Sequence, residues 1–327
     1  MVNIEDINPS KVYSVAEAAV VLDMHPESVR QRLKRGRLKG RKIGRDWRII
    51  GKDMLEFVGV SQEEIEERVL RNTRIIALAN QKGGTGKTTT AINLSAGLAM
   101  NGRKVLVIDV DPQANASVGF LGSEIFNYEA SIYEVLMGKA DLESVIKETS
   151  VPNLFIANSN IQLAAAEMEL TASPVGGTAL KNRIGGVMDR FDYIIIDCPP
   201  ALAMLTWNAL VTAKEVFIPI QTSFFPLVGI QQLTATIDVV KREANPDLVI
   251  SGVILTLWDM RKGIGGEVID QVRELFGDIV FKTVIRSNVK LEESPAHQKT
   301  VFQHAPRSAG AIEYKSLTKE VLAREGS

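Results

Sequence analysis

The chain has 327 residues, 45% of them hydrophobic, and a formal net charge of −1. That length allows one large α/β domain and a smaller unit, while the charge balance excludes a uniformly basic surface. Cys198 is the only cysteine, which excludes an intrachain disulfide and a cysteine-built metal cluster within one chain.

The first residues, MVNIEDINPS, carry neither a basic n-region nor an apolar h-region, and no stretch approaches the roughly 18 apolar residues of a membrane span. A soluble cytoplasmic protein with no membrane partner is expected. Ser14 and Glu17 have capping-box spacing ahead of Val15, Ala18, Ala19, Val21 and Leu22, which predicts a short helix. A second helix follows, with Pro26 in its first turn, Val29 and Leu33 facing inward and Gly36 at its end. LKGRKIGRDWRII reads as a hairpin around Gly44-Arg45-Asp46. From Ser28 to Lys52 there are eleven basic residues and one acid, Asp46, so this segment repels itself unless it meets an anion. Residues 1–57 are therefore expected to form a small winged helix-turn-helix DNA-binding domain. Its second helix would offer Ser28, Gln31, Arg32 and Lys34 to a groove, and its wing Lys39, Arg41, Lys42 and Arg45 to phosphates. Residues 58–73, with a second capping-box spacing at Ser61 and Glu64, are expected to form a helical linker.

From residue 74 the chain changes character. RIIALAN, KVLVIDV, YIIIDC, VFIPI, VISGVILTL and VFKTVI are continuous apolar runs separated by helical stretches, the signature of buried parallel strands. Residues 74–327 are expected to form a doubly wound, mostly parallel α/β P-loop domain. RIIALAN leads into NQKGGTGKTTT, and KTTTAINLSAGLAMNG then reads as an amphipathic helix closed by Gly102. The strict pattern G-x-x-x-x-G-K-[ST] wants a glycine where Gln81 stands, but Gly86, Lys87 and Thr88 keep their places. Gly83, Gly84 and Gly86 would admit a phosphate chain, Lys87 would neutralise the β and γ phosphates, and Thr88 would bind Mg²⁺. Asp109 and Asp111 stand at the end of the next strand and Asp197 at the end of YIIID. Asp111 is expected near the attacking water, Asp109 and Asp197 on the metal side.

KGGTGKTTT, DVDPQAN and YIIIDCPP together resemble the deviant Walker A, Walker A′ and Walker B motifs of the ParA family of DNA-partition ATPases. The resemblance continues through TWNAL, GVILTLWDMR and NVKLEESPAH, from about Arg74 to the C-terminus. It implies ATP and Mg²⁺ as ligands, with Gly83 to Thr89 and Pro219 binding the nucleotide. It also implies a sandwich homodimer formed on ATP, in which Lys82 crosses to the partner's phosphates and Thr206 and Asn208 lie near the interface. Lys82, Lys87 and Asp111 would carry a slow hydrolysis stimulated by a centromere-binding ParB-like protein and by DNA. The ATP dimer would bind DNA without sequence preference on the nucleoid, through Arg261, Arg286 and Lys290. Arg286 stands one residue away from the family's I-P-R-N-V arginine, and Ser223 and Val228 replace acids found in many relatives, while Pro219, Gln221 and Gly229 match. The N-terminal segment resembles excisionase and MerR-like winged helix-turn-helix domains, which implies added site-specific DNA binding and autoregulation. A nucleotide-switched transcription regulator is the rival reading. The lone Cys198 does not match the paired cysteines of nitrogenase iron protein, and AREGS lacks the basic amphipathic character of a membrane-cycling tail.

Overall fold

A computed structural model describes residues 4, 7, 9, 12–44, 46–62, 64–65, 73–222, 227–259 and 264–325. Two compact units emerge: Met1–Arg74 with Val187–Asp192, and Ile75–Gly186 with Tyr193–Ser327.

In the first unit, Ser14 caps the helix Val15–Val21 in a reciprocal box, its Oγ accepting the Glu17 N–H while the Glu17 carboxylate accepts the Ser14 N–H. His25 caps the helix Pro26–Lys34 through Nδ1, which accepts the Glu27 N–H at 3.3 Å. Gly36 adopts φ +67° just beyond this helix, a conformation open to glycine at little cost. The wing is the antiparallel pair β2 (Arg41–Ile43) and β3 (Asp46–Ile50). A third strand, β1 (Val12–Ser14), pairs with β3 on its other side, giving the order β1-β3-β2. Three residues are too few to show alternation, so sequence pattern does not reveal β1. The helix Gly51–Phe57 buries Met54 and Leu55 in the same apolar core as Tyr13, Ala18, Val29, Leu33 and Ile49. Ile65 joins that core and Val58 and Val60 pack on it, so the start of the expected linker belongs with the first unit. Residues 66–72 of that linker lie outside the described residues.

The second unit is built on eight strands: β4 (Arg74–Leu78), β5 (Val105–Asp109), β6 (Ile146–Glu148), β7 (Leu154–Ala157), β8 (Tyr193–Asp197), β9 (Glu215–Gln221), β10 (Val249–Trp258) and β11 (Val280–Arg286). Their order is β11-β10-β9-β4-β8-β5-β7-β6. The sheet is mostly parallel, with β6 antiparallel to β7 at one edge. β6 and β7 are short, with Phe155 half-buried, and carry none of the long apolar signal of the central strands.

β4 and β5 follow one another in the sequence but flank β8 in the sheet, so the C-terminal ends of three strands converge where the chain reverses its winding direction. Open α/β sheets bind ligands at such points. The helix Lys87–Met100 that leaves β4 is not amphipathic as expected. It is buried without interruption from Thr90 to Ala99, because it runs between the sheet and the helix Ala309–Ala323. A Cβ on Gly97 would come 2.2 Å from Thr318 Oγ1, so glycine is what permits this approach. Thr90 Oγ1 and the Tyr314 hydroxyl, 3.0 Å apart, tie the two helices. Cys198 is a buried core residue whose thiol pKa is raised by burial.

Candidate nucleotide site and nucleic-acid surfaces

The loop after β4 turns on Gly84 (φ +68°) and Gly86 (φ +83°), left-handed conformations that non-glycine residues rarely hold. A Cβ on Gly84 would meet nothing within 4 Å, so its positive φ rather than crowding calls for glycine there. Lys87 is 6% exposed, and its Nζ donates to the carbonyls of Asn80 (3.0 Å) and Lys82 (3.2 Å). Burial lowers its pKa, opposed chiefly by the charge of Asp197. Lys82, five residues earlier, is exposed, and its N–H donates to Asn80 Oδ1 at 3.0 Å. The other Asn80 branch donates to the carbonyl of Pro219 at 2.7 Å, tying the loop to β9. Thr256 on β10 donates to the buried Thr85 carbonyl at 2.8 Å and packs 3.6 Å from where a Gly86 Cβ would sit. Thr88 and Thr89, both half-buried, occupy the first turn of the helix.

Asp109 and Asp197 are register partners on β5 and β8, and both are fully buried. Their surroundings differ. Asp109 Oδ1 accepts the Asp111 N–H (3.1 Å), while Oδ2 accepts both the N–H (2.9 Å) and the hydroxyl (2.7 Å) of Ser117. Burial still pushes its carboxyl up to about 6, against these hydrogen bonds. Asp197 has no hydrogen-bond partner on either carboxylate oxygen. Burial, then the nearby Asp109, raise its pKa well above the usual range; the Thr88 hydroxyl favours the ionised form without making a well-formed bond. A buried carboxylate lacking donors is costly unless a cation arrives, so Asp197 and Thr88 fit a divalent metal. Among the described residues no three acidic, histidine or cysteine side chains form a metal cage. Asp111 is 6% exposed and its Oδ1 accepts the Gln113 N–H at 2.9 Å.

Asn80, Thr256, Ser117 and the Ser159 beside it are missed by sequence reasoning. They act as single hydrogen-bonding groups brought in from separate elements, with no spacing to announce them.

Two expected interface residues are internal. Thr206 is 1% exposed and donates to the Ala201 carbonyl. Asn208, also 1% exposed, accepts from Leu180 N–H and donates to the carbonyls of Gly176 and Met204. Thr206 thus ties its helix to the loop after Asp197, and Asn208 ties it to the segment from Gly176 to Leu180.

Of the expected DNA-contacting residues, Gln31, Lys34, Arg41 and Lys42 are exposed. Ser28 is half-buried; Arg32 donates to the Ser28 carbonyl at 3.3 Å and stacks 5.8 Å from the Phe57 ring centre. Lys39 is paired with Glu56 at 2.8 Å. Arg45 and Arg261 lie outside the described residues, as do Ser223 and the Val228 side chain. Arg286 has a partner within the fold: its guanidinium and backbone N–H both engage Glu313, which is 8% exposed. The pair holds β11 to the helix Ala309–Ala323, while 42% of the Arg286 side chain stays exposed. Lys290 is exposed and pairs with Glu293 at 2.7 Å.

The family described as an AAA domain matches residues 73–250, and that described as a helix-turn-helix domain matches residues 12–59. The sporulation initiation inhibitor protein Soj of Bacillus subtilis is 47% identical over 250 residues, covering 76% of this chain and 98% of that protein. The chromosome-partitioning ATPase Soj of Treponema pallidum is 43% identical over 253 residues, covering 77% of this chain and 98% of that protein. A crystal structure of cobyrinic acid a,c-diamide synthase from Mycobacterium smegmatis with bound ADP and magnesium matches with a TM-score of 0.69 and 32% identity, over 78% of this chain and 96% of that one. With relatives matched over nearly their whole length, and a glycine-rich loop and carboxylates gathered at the C-terminal ends of adjacent central strands, the chain belongs to the Soj/ParA family of chromosome-partitioning ATPases.

Proposed function

We propose that this ATPase pairs with a second copy of itself on ATP, and that the nucleotide state governs its hold on DNA. The observation that carries the reading is the division of labour between two lysines of one loop. Lys87 is buried against the loop carbonyls, which supports a role at the phosphates of its own site, whereas Lys82 is exposed, which supports a reach toward a facing copy. A cation about 4 Å from a phosphate gains about 4 kcal/mol at an effective dielectric near 20, and cationic fingers of this kind accelerate phosphoryl transfer by about 10³ to 10⁵. Loss of the γ-phosphate removes the charge that Lys82 reaches, so turnover loosens the pair.

Within each site, Gly83 to Thr89 cradle the phosphates and Pro219 lies toward the nucleotide side of β9. Asp111 orients the attacking water. Thr88 and Asp197 would hold Mg²⁺, Asp197 through water, with Asp109 behind them; the ion supplies neutralisation of the β and γ phosphate charge. A ParB-like centromere-binding partner and DNA stimulate the hydrolysis. Nonspecific DNA contact by the paired ATPase units involves Lys290, Arg261 and Arg286, the last of them two-fifths exposed beside Glu313. The N-terminal unit adds site-specific DNA binding through the helix Pro26–Lys34 and the wing, and with it autoregulation. The cargo is a chromosome or plasmid, and the protein works in the cytoplasm on the nucleoid.

The test is the mass of the protein in solution with a nonhydrolysable ATP analogue, for wild type and Lys82→Ala. Wild type should double in mass with the analogue and Lys82→Ala should remain single. A wild type that stays monomeric, or a variant that pairs and hydrolyses normally, removes the reading. Footprinting on genomic DNA separates the rival: sharp protected sites with no nonspecific DNA-stimulated turnover favour a nucleotide-switched transcription regulator.

A further inference from the structure

Asp111 sits in a turn that packing alone does not hold. Its outer side borders a cavity of about 380 Å³ lined in part by Pro112, Gln113, Ala114, Ile125 and Asn160. Ala114, three residues on, adopts φ +53°, a left-handed conformation that costs a non-glycine residue of order 1 kcal/mol and persists where its surroundings enforce it. The enforcement is a closed ring of hydrogen bonds. Ser117 donates its N–H and hydroxyl to Asp109 Oδ2 at 2.9 and 2.7 Å. Ser117 Oγ in turn accepts the Ser159 N–H at 2.8 Å. The Ser159 hydroxyl donates to the Asp111 carbonyl at 2.7 Å, and the Asp111 N–H returns to Asp109 Oδ1 at 3.1 Å. The same Asp111 carbonyl accepts the N–H of Ala114 at 2.9 Å.

The ring draws on three elements. Asp109 ends β5, Ser117 lies in the helix Asn115–Leu121, and Ser159 follows β7, the strand next to β5. Asp109, Ser117 and Ser159 are all 0% exposed, so each bond is shielded from water and geometrically demanding. The Asp111 backbone is gripped at both its N–H and its carbonyl, which fixes where its side chain starts, and the Gln113 N–H donating to Oδ1 at 2.9 Å restrains the carboxylate itself.

We propose that Ser117 and Ser159 are positioning residues for hydrolysis, acting with Asp109 to aim the Asp111 carboxylate at the attacking water. The proposal rests on the reading of Asp111 given above. Misplacement by a fraction of an ångström at a water-orienting group lowers turnover without touching the phosphate cradle, so kcat and nucleotide affinity should part company.

The experiment is steady-state ATP hydrolysis by the full-length protein with DNA, together with the Kd for a nonhydrolysable ATP analogue and the melting temperature. In Ser159→Ala and Ser117→Ala, kcat should fall about 10-fold, a change of about 1.4 kcal/mol in barrier, while Kd moves less than about 2-fold. Ser159→Thr, which keeps the hydroxyl, should recover most of the loss. In an Asp111→Asn background, Ser159→Ala should lower the residual turnover no further, whereas general loosening of the fold would lower it again. Should Ser117→Ala fail to fold, Ser159→Ala, which removes a single oxygen, decides alone. Unchanged kcat in folded Ser159→Ala, or kcat and affinity falling in proportion, overturns the proposal. Full turnover by Asp111→Ala in the same assay would instead overturn the role given to Asp111, so the two failures are distinguishable.

Discussion

The N-terminal unit carries Lys34, Arg41 and Lys42 on its exterior over a small apolar core, whereas the nucleotide unit buries Asp109, Asp197 and Lys87 beneath its strand ends. Exposed cations cost little to hold and are screened by salt, so that surface suits reversible contact with a polyanion. Buried charges cost stability until a counter-charge arrives, and Asp197, with no donor on either oxygen, is the clearest instance. One unit keeps its charges exposed, and the other keeps charges buried at a cost.

Substitutions that separate these two strategies follow in order of size. Asp111→Ala should cut ATP turnover by about a hundred- to ten-thousand-fold while leaving analogue binding intact, as measured by phosphate release and calorimetry. Near-normal turnover would show that Asp111 does not orient the attacking water. Replacing Lys34, Arg41 and Lys42 together with alanine should flatten the slope of log K against log salt for DNA binding by about 2.7, with turnover in the absence of DNA unchanged. An unaltered slope would mean that these cations meet no phosphate.

Asp197 tests that cost directly. Its carboxyl ionises at higher pH in the folded chain than in the unfolded one, where the ordinary value is about 4. The folded state therefore binds the proton more tightly, and stability present below that pH is lost as pH rises through the folded value. Asp197→Asn should raise the melting temperature in EDTA at pH 8 by several degrees and forfeit that gain as pH falls toward about 4. A gap that does not vary with pH contradicts the picture. The smallest effect belongs to the other unit: Ser14→Ala removes a helix cap and should cost about 1 kcal/mol of that unit's stability, seen in denaturant melts, with ATP turnover unaffected.

Local rules made much of the architecture legible. The Ser14–Glu17 box, Gly36 and the apolar central strands depend on residues within a few positions of each other, and each forms as the pattern dictates. The edge strands β6 and β7 and the short β1 carry too few residues for a period to show. The helix Lys87–Met100 misled because its outer face is covered by the helix Ala309–Ala323, more than 200 positions along the chain. The Arg286–Glu313 pair was hidden for the same reason, since Glu313 comes from another element.

From residue order alone came the phosphate loop, the strand-end carboxylates and the winged unit, because glycine torsions, strand alternation and helix caps are decided by neighbours in the chain. Tertiary structure decided which polar groups are engaged: Arg286 with Glu313, Asp109 with Ser117 and Asn208 with Gly176, while the Asp197 oxygens accept no well-formed hydrogen bond. The reason is that a polar group's cost and direction depend on who surrounds it after folding, and those partners come from distant parts of the sequence with no spacing rule to connect them.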